Sequence, residues 1–141
     1  MKCISVRPIW AWLIAHGYKD VENRTWPTKH RGPILIHASA ALRAADYKSA
    51  LAAIDSSGLH IPVPVLTELP RAGIVGVASL IDCVLSSSSP WFVGTHGFLL
   101  KAQRPVPFCP IKGRLGLFDV DLCSLPHATT SAIKEWDGLW M

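Results

Sequence analysis

Hydrophobic and polar positions change their spacing several times along the chain, and each change predicts an element. Residues 2–6 (Lys-Cys-Ile-Ser-Val) read as a short opening strand. Pro8 suits the first position of a helix, and Trp10, Leu13, Ile14 and Gly17 follow at helical spacing. Gly17 is a natural stop, because glycine takes the left-handed C-cap conformation without steric cost. Val21 to Trp26, closed by Pro27, predicts a second strand with Glu22, Arg24 and Trp26 on one face. Gly32-Pro33 opens the clearest strand, Ile34 to Ser39, where His37 and Ser39 share a face with Leu35.

From Ala40 to Ile54 the pattern becomes that of an alanine-rich helix, ended by Ser56-Ser57-Gly58. Residues 59–71 hold three prolines and read as a surface loop. Gly73 to Leu85 is a long β-branched run, the best candidate for a central strand. Gly97 to Ala102 and Leu115 to Leu122 complete the set, joined by a proline-rich connection through Pro105, Pro107 and Pro110. The last dozen residues, with Trp136 and Trp140, fit a short packed helix or a loose tail. Five or six strands with two main helices predict a small mixed α+β barrel.

Composition narrows the class. At 141 residues, 50% of them apolar, the chain is sized for one domain with its own core. Cys3, Cys83, Cys109 and Cys123 stand singly, which predicts free thiols in a reducing compartment. No signal peptide and no spanning apolar run is visible, so a cytoplasmic location and no membrane partner are expected. The net charge of +4 is uneven: residues 1–48 carry eight cations against three anions. A basic first third suits a polyanionic partner, or merely a soluble surface.

The densest polar constellation is Gly17-Tyr18-Lys19-Asp20-Val21-Glu22-Asn23-Arg24-Thr25-Trp26. A lysine beside a carboxylate in a dry cleft can hold a phosphate or carbonyl as a fixed charge, or lose its proton and act as a base. In open solvent the same pair is an ion pair worth little. His37 sits among apolar neighbours and reads either as a satisfied barrel residue or as a catalytic aid with Ser39. Trp10, Trp12, Trp26 and Trp91 could stack bases; Trp12 fits the core better, and Trp26, with Lys29, His30 and Arg31 following, fits a surface platform. Nucleotide-loop and metalloprotease motifs are absent, the acidic residues are not spaced as metal loops, and no metal or cofactor is expected.

Three blocks of residues then resemble the ASCH domain: Ser5-Val6-Arg7…Trp10-Ala11, Gly17-x-Lys19-x-x-Glu22-Asn23-Arg24-x-Trp26, and Arg31-Gly32-x-Ile34-Leu35-Ile36-His37-Ala38-Ser39. The likeness continues through Gly73-Ile74-Val75-Gly76 and Trp91-x-x-Gly94-x-x-Gly97-Phe98 to Lys112-Gly113-x-Leu115-Gly116-Leu117-Phe118. It covers roughly residues 3–122 and leaves 123–141 as a tail or short helix. The resemblance implies a PUA-like β-barrel whose cleft is lined by the Gly-x-Lys-x-x-Glu segment, with Lys19 and Glu22 facing in. Relatives in that superfamily bind RNA or single modified bases.

Two departures stand out. The family usually has Gln-Pro-Trp where this chain has Pro8-Ile9-Trp10. A related group that deacetylates N4-acetylcytidine carries a threonine nucleophile where this chain has Glu22.

The expected function is therefore binding of RNA, another nucleic acid or a modified nucleoside. Lys19, Arg24, Lys29 and Arg31 would hold phosphates, Trp26 or Trp10 would stack a base, and Glu22 with Asn23 would read its edge. The alternative is a small hydrolase of a modified pyrimidine nucleoside, or a ribonuclease, in which Lys19 and Glu22 are catalytic and His37 and Ser39 support them. A protein-interaction module, resting on residues 59–71 and the Trp136/Trp140 segment, ranks last.

Overall fold

The computed structural model describes residues 1–140; the side chains of Leu139 and Trp140 lie outside that description. The strands are β1 (Lys2–Val6), β2 (Val21–Arg24), β3 (Gly32–Ala38), β4 (Gly73–Val84), β5 (His96–Pro110) and β6 (Leu117–Asp119). The helices are α1 (Pro8–Ala15), α2 (Ala44–Ser57) and α3 (His127–Lys134). All six strands form one sheet in the order β2-β5-β4-β3-β1-β6, in which only β1 and β3 run parallel. The architecture is α+β, a curled half-barrel with β2 and β6 at its edges rather than a fully closed barrel.

The curl has a visible cause in β4 and β5. Their pairing shifts register between Ile74 and Gly76, between Val77 and Ser79, and between Leu80 and Asp82. Each such bulge bends the strand and increases its twist. Bulges also explain why β5 runs on to Pro110 instead of ending at Ala102 as expected. Pro105 pairs with Gly76 beside a register shift, and Pro110 pairs with Gly73 at the strand's end. At these places a missing backbone N–H costs no regular ladder bond.

Other boundaries differ from expectation for local reasons. Helix α2 starts at Ala44, four residues later than predicted, and ends at Gly58 in the left-handed conformation (φ 71°). Strand β6 shrinks to three residues, from Leu117 to Asp119. The C-terminal segment is a packed helix and not a loose tail: Ile133 and Trp136 are buried, and the Trp136 indole donates to the Ala102 carbonyl at 2.6 Å.

The core falls into three groups. One lies between the sheet and α1 around Ile4, Ile34, Ile36 and Phe98; another joins α1 to α2 through Ile9, Leu13, Ala50 and Ile54; the third lies beneath α3. Helix α1 approaches β4 so closely that a Cβ on Gly76 would sit 2.6 Å from the Ala15 Cβ and 3.0 Å from the Arg104 carbonyl oxygen. Gly76→Ala is therefore expected to force α1 outward at a cost of about 1–3 kcal/mol, the usual penalty for overpacking a dense interface. Urea denaturation measures it as a lower midpoint at unchanged slope.

All four cysteines are free. Cys3 and Cys109 are buried, Cys83 is half-buried and Cys123 is exposed. Burial pushes the Cys3 thiol up to about 12, which leaves it protonated and inert. No helix among the described residues is long and apolar enough to cross a membrane, and no three metal-ligating side chains gather there.

Candidate ligand-binding site

The turn after α1 sets the position of Lys19. Gly17 adopts φ 81°, and the Leu13 carbonyl then accepts from the backbone N–H of Tyr18 (2.9 Å) and of Lys19 (3.0 Å). From the other side the Gln103 side-chain amide donates to the Lys19 carbonyl at 2.8 Å. With its backbone held at both faces, Lys19 projects beneath Trp10, its ammonium 5.7 Å from the ring centroid.

Lys19 is 4% exposed and Glu22 7%. The Lys19 ammonium donates to the Val21 carbonyl and lies 3.6 Å from Glu22 Oε1. The other carboxylate oxygen, Oε2, accepts from Arg24 Nε (3.0 Å) and Nη2 (2.7 Å). Arg24 Nη2 also donates to the Ser5 carbonyl at 2.7 Å, and the guanidinium lies 5.8 Å from the Trp26 ring centroid. A carboxylate thus sits between two cations, each with a second anchor. Burial lowers the Lys19 pKa below its ordinary 10.5, and the charge of Glu22 opposes that shift.

This triad lies against an open hollow of about 790 Å³, at the upper end of the size usual for small-molecule sites. Trp10, Lys19, Glu22, Arg24, Trp26 and Trp91 line it. Ser5, Arg7, Ser39 and residues of the Pro90–Thr95 loop add to the wall. Trp26 is half-buried, its ring edge-on to Phe98 at 5.2 Å, so it is a fixed wall rather than a free surface platform. Trp12, expected in the core, is half-buried and stacks on His16 at 4.3 Å.

Asn23 also lines the hollow, but the neighbouring loop engages its polar atoms. Its amide donates to the Trp91 carbonyl at 2.9 Å, and its carbonyl oxygen accepts from the Val93 N–H at 3.0 Å. Both ends of the side chain hold the 91–93 segment, so Asn23 shapes the wall. Asn23→Ala is expected to leave that loop untethered, at a cost of about 1–2 kcal/mol for two lost hydrogen bonds. Hydrogen exchange should then show the Val93 amide losing protection while the β3 amides keep theirs.

Three of the expected ligand contacts lie elsewhere. Lys29 and Arg31 are outside the lining of the hollow; Arg31 donates to the Thr28 and His30 carbonyls and faces Asp82 at 3.5 Å. His37 is 1% exposed, with Nε2 2.8 Å from the Ile111 carbonyl and Nδ1 2.9 Å from Ser5 Oγ. A carbonyl can only accept, so Nε2 carries the proton and Ser5 donates to Nδ1.

Burial lowers the His37 pKa below 6.5, against the raising effect of the Ile111 bond. Its folded value lies below its unfolded value, so the unfolded chain takes up the proton first as pH falls. Stability tied to His37 is complete above about pH 6.5 and declines below it, at up to about 1.4 kcal/mol per pH unit. Melting temperatures at pH 7.5 and 5.5 should therefore differ more for the native chain than for His37→Gln.

A family model for the ASCH domain matches residues 4–124. Activating signal cointegrator 1 of Homo sapiens is 35% identical over 135 residues, covering 84% of this chain and 22% of that protein. The Mus musculus protein of the same name is 33% identical over 84 residues, covering 58% of this chain and 14% of its own. The chain spans less than a quarter of the length of these curated relatives. Among solved structures, ASCH from Zymomonas mobilis superimposes with a TM-score of 0.53 at 17% identity, covering 95% of this chain and 94% of that one. A mutant form of that protein gives 0.52. At such identity the likeness speaks for the fold.

Proposed function

The chain belongs to the ASCH domain family, and from that premise we propose that its hollow binds a nucleobase carried on RNA or another nucleic acid. The observation that carries this reading is the buried Lys19–Glu22 pair, joined by the half-buried Arg24 and set among three tryptophans. Aromatic walls offer stacking surfaces that any base can use, each stack contributing about 1–3 kcal/mol. A fixed carboxylate accepts hydrogen bonds from an exocyclic amine or ring N–H, while the ammonium and guanidinium donate to carbonyls and phosphates. Such a combination reads the edge of a base and the charge attached to it.

Fluorescence anisotropy with labelled single-stranded oligonucleotides tests this. With about three phosphate contacts, affinity should fall some 10- to 20-fold between 50 and 200 mM salt. Binding that ignores salt, or that is absent at low salt, overturns the proposal.

One observation supports a second reading, hydrolysis of a modified pyrimidine nucleoside or RNA cleavage. A lysine whose pKa is lowered by burial can serve as a base, and Lys19 is so lowered. Incubation of the protein at high concentration with modified nucleosides and single-stranded RNA, followed by chromatography, decides it: product lost in Lys19→Met supports catalysis, and no product removes it for those substrates.

A further inference from the structure

A second hollow, of about 530 Å³, adjoins the first and shares Ser5, Arg24 and Ser39 with it. Its far wall is the Lys112–Gly116 loop. The two hollows differ in charge. Glu22 lies in the first, whereas among the described residues the second is lined by Arg24, Lys112 and Arg114 and by no carboxylate. Lys112 and Arg114 are exposed, and neither forms an ion pair among the described residues. His37, on the floor, adds no charge near neutral pH because burial keeps its ring unprotonated.

The loop is anchored at its base and bare at its tip. Ile111 accepts from His37, and Gly113 lies so near the floor that a Cβ there would come within 2.8 Å of His37 Cε1 and 2.9 Å of Ser5 Oγ. Gly116 then turns the chain at φ 67°. Between them Leu115 is 99% exposed, an apolar side chain held out beside two cations. An apolar tip flanked by positive charge suits a nucleotide, whose base or sugar covers the leucine while its phosphate meets the cations.

We infer that the second hollow takes the nucleotide next to the one whose base enters the first, so that this domain's ligand is a single-stranded oligonucleotide and not a free nucleoside. Arg24, on the shared wall, spans the step between the two positions. The inference rests on the nucleobase reading of the first hollow and adds to it a second position with its own residues.

The test compares the full chain with a Lys112→Ala/Arg114→Ala variant, both checked for folding by circular dichroism. The probes are a mixed-sequence hexaribonucleotide and the four ribonucleoside 5′-monophosphates. The native chain should bind the hexamer at least tenfold more tightly than any monophosphate. The variant should lose about tenfold on the hexamer, with its salt slope reduced by about 1.4 for two lost contacts, and should bind monophosphates within twofold of the native value. Equal hexamer affinity in the two proteins overturns the inference and leaves the first-hollow reading standing. So does a native chain that binds monophosphate and hexamer alike, or a variant that loses both ligands equally. A native chain that binds neither probe defeats the nucleobase reading itself, and this inference with it.

Discussion

Glu22→Ala is expected to lower the unfolding free energy by about 3–5 kcal/mol, the cost of leaving buried charge without its partner. The reasoning depends on who is left behind. Glu22 is the one anion of the triad, and its loss strands a lysine that is 4% exposed together with an arginine that is only partly solvated. The arginine keeps the Ser5 carbonyl and the lysine keeps the Val21 carbonyl, but neither carbonyl carries a compensating charge. Glu22→Gln should fall between the native chain and Glu22→Ala, because the amide oxygen can still accept from Arg24. Chemical denaturation of the three proteins gives the order directly, and equal midpoints would show that the carboxylate is not the electrostatic centre of the site.

Lys19→Met is expected to behave in the opposite way, with stability within about 1 kcal/mol of native and oligonucleotide affinity reduced about 10- to 100-fold. The stability argument is that methionine fills the lysine's apolar path under Trp10 and that no buried charge is left unpaired, because Arg24 still partners Glu22. Glu22 meanwhile keeps its two bonds from Arg24. The affinity argument is that a hydrogen bond from a charged donor contributes about 1.5–3 kcal/mol, and here that donor is buried where water competes poorly. Anisotropy titrations at one salt concentration measure the loss. The loss of Lys19's charge should also appear in the native protein at alkaline pH, beginning below 10.5 because burial lowers the lysine's pKa.

Much of this site is legible in the order of the residues themselves. Alternation along Val21–Trp26 puts Glu22, Arg24 and Trp26 on one face, and all three line the hollow. Pro8 and Gly17 bracket α1, and its C-terminal turn delivers Lys19. Features that depend on distant segments were not legible. Asn23 looks like a ligand contact until the 91–93 backbone is seen taking both ends of its amide. The Pro90–Thr95 wall lies some 70 residues from Asn23, and only the pairing of β2 with β5 brings it near. Lys29 and Arg31 continue a basic run in sequence, but past Pro27 the chain turns back on itself through Thr28 and His30 and carries them off the hollow. The proline-rich part of β5 looked like a connection because the compensating bulges are a property of the strand pair and not of either strand.

The central claim is that a base enters the hollow above the Lys19–Glu22–Arg24 triad, and a titration followed by two-dimensional proton–nitrogen spectra addresses it most directly. With a short single-stranded RNA added to the labelled protein, shifts should concentrate on the indole N–H groups of Trp10, Trp26 and Trp91 and on the 91–95 backbone amides. Shifts confined to the Lys29–Arg31 segment or to the α3 face, with those indoles unmoved, would contradict the account.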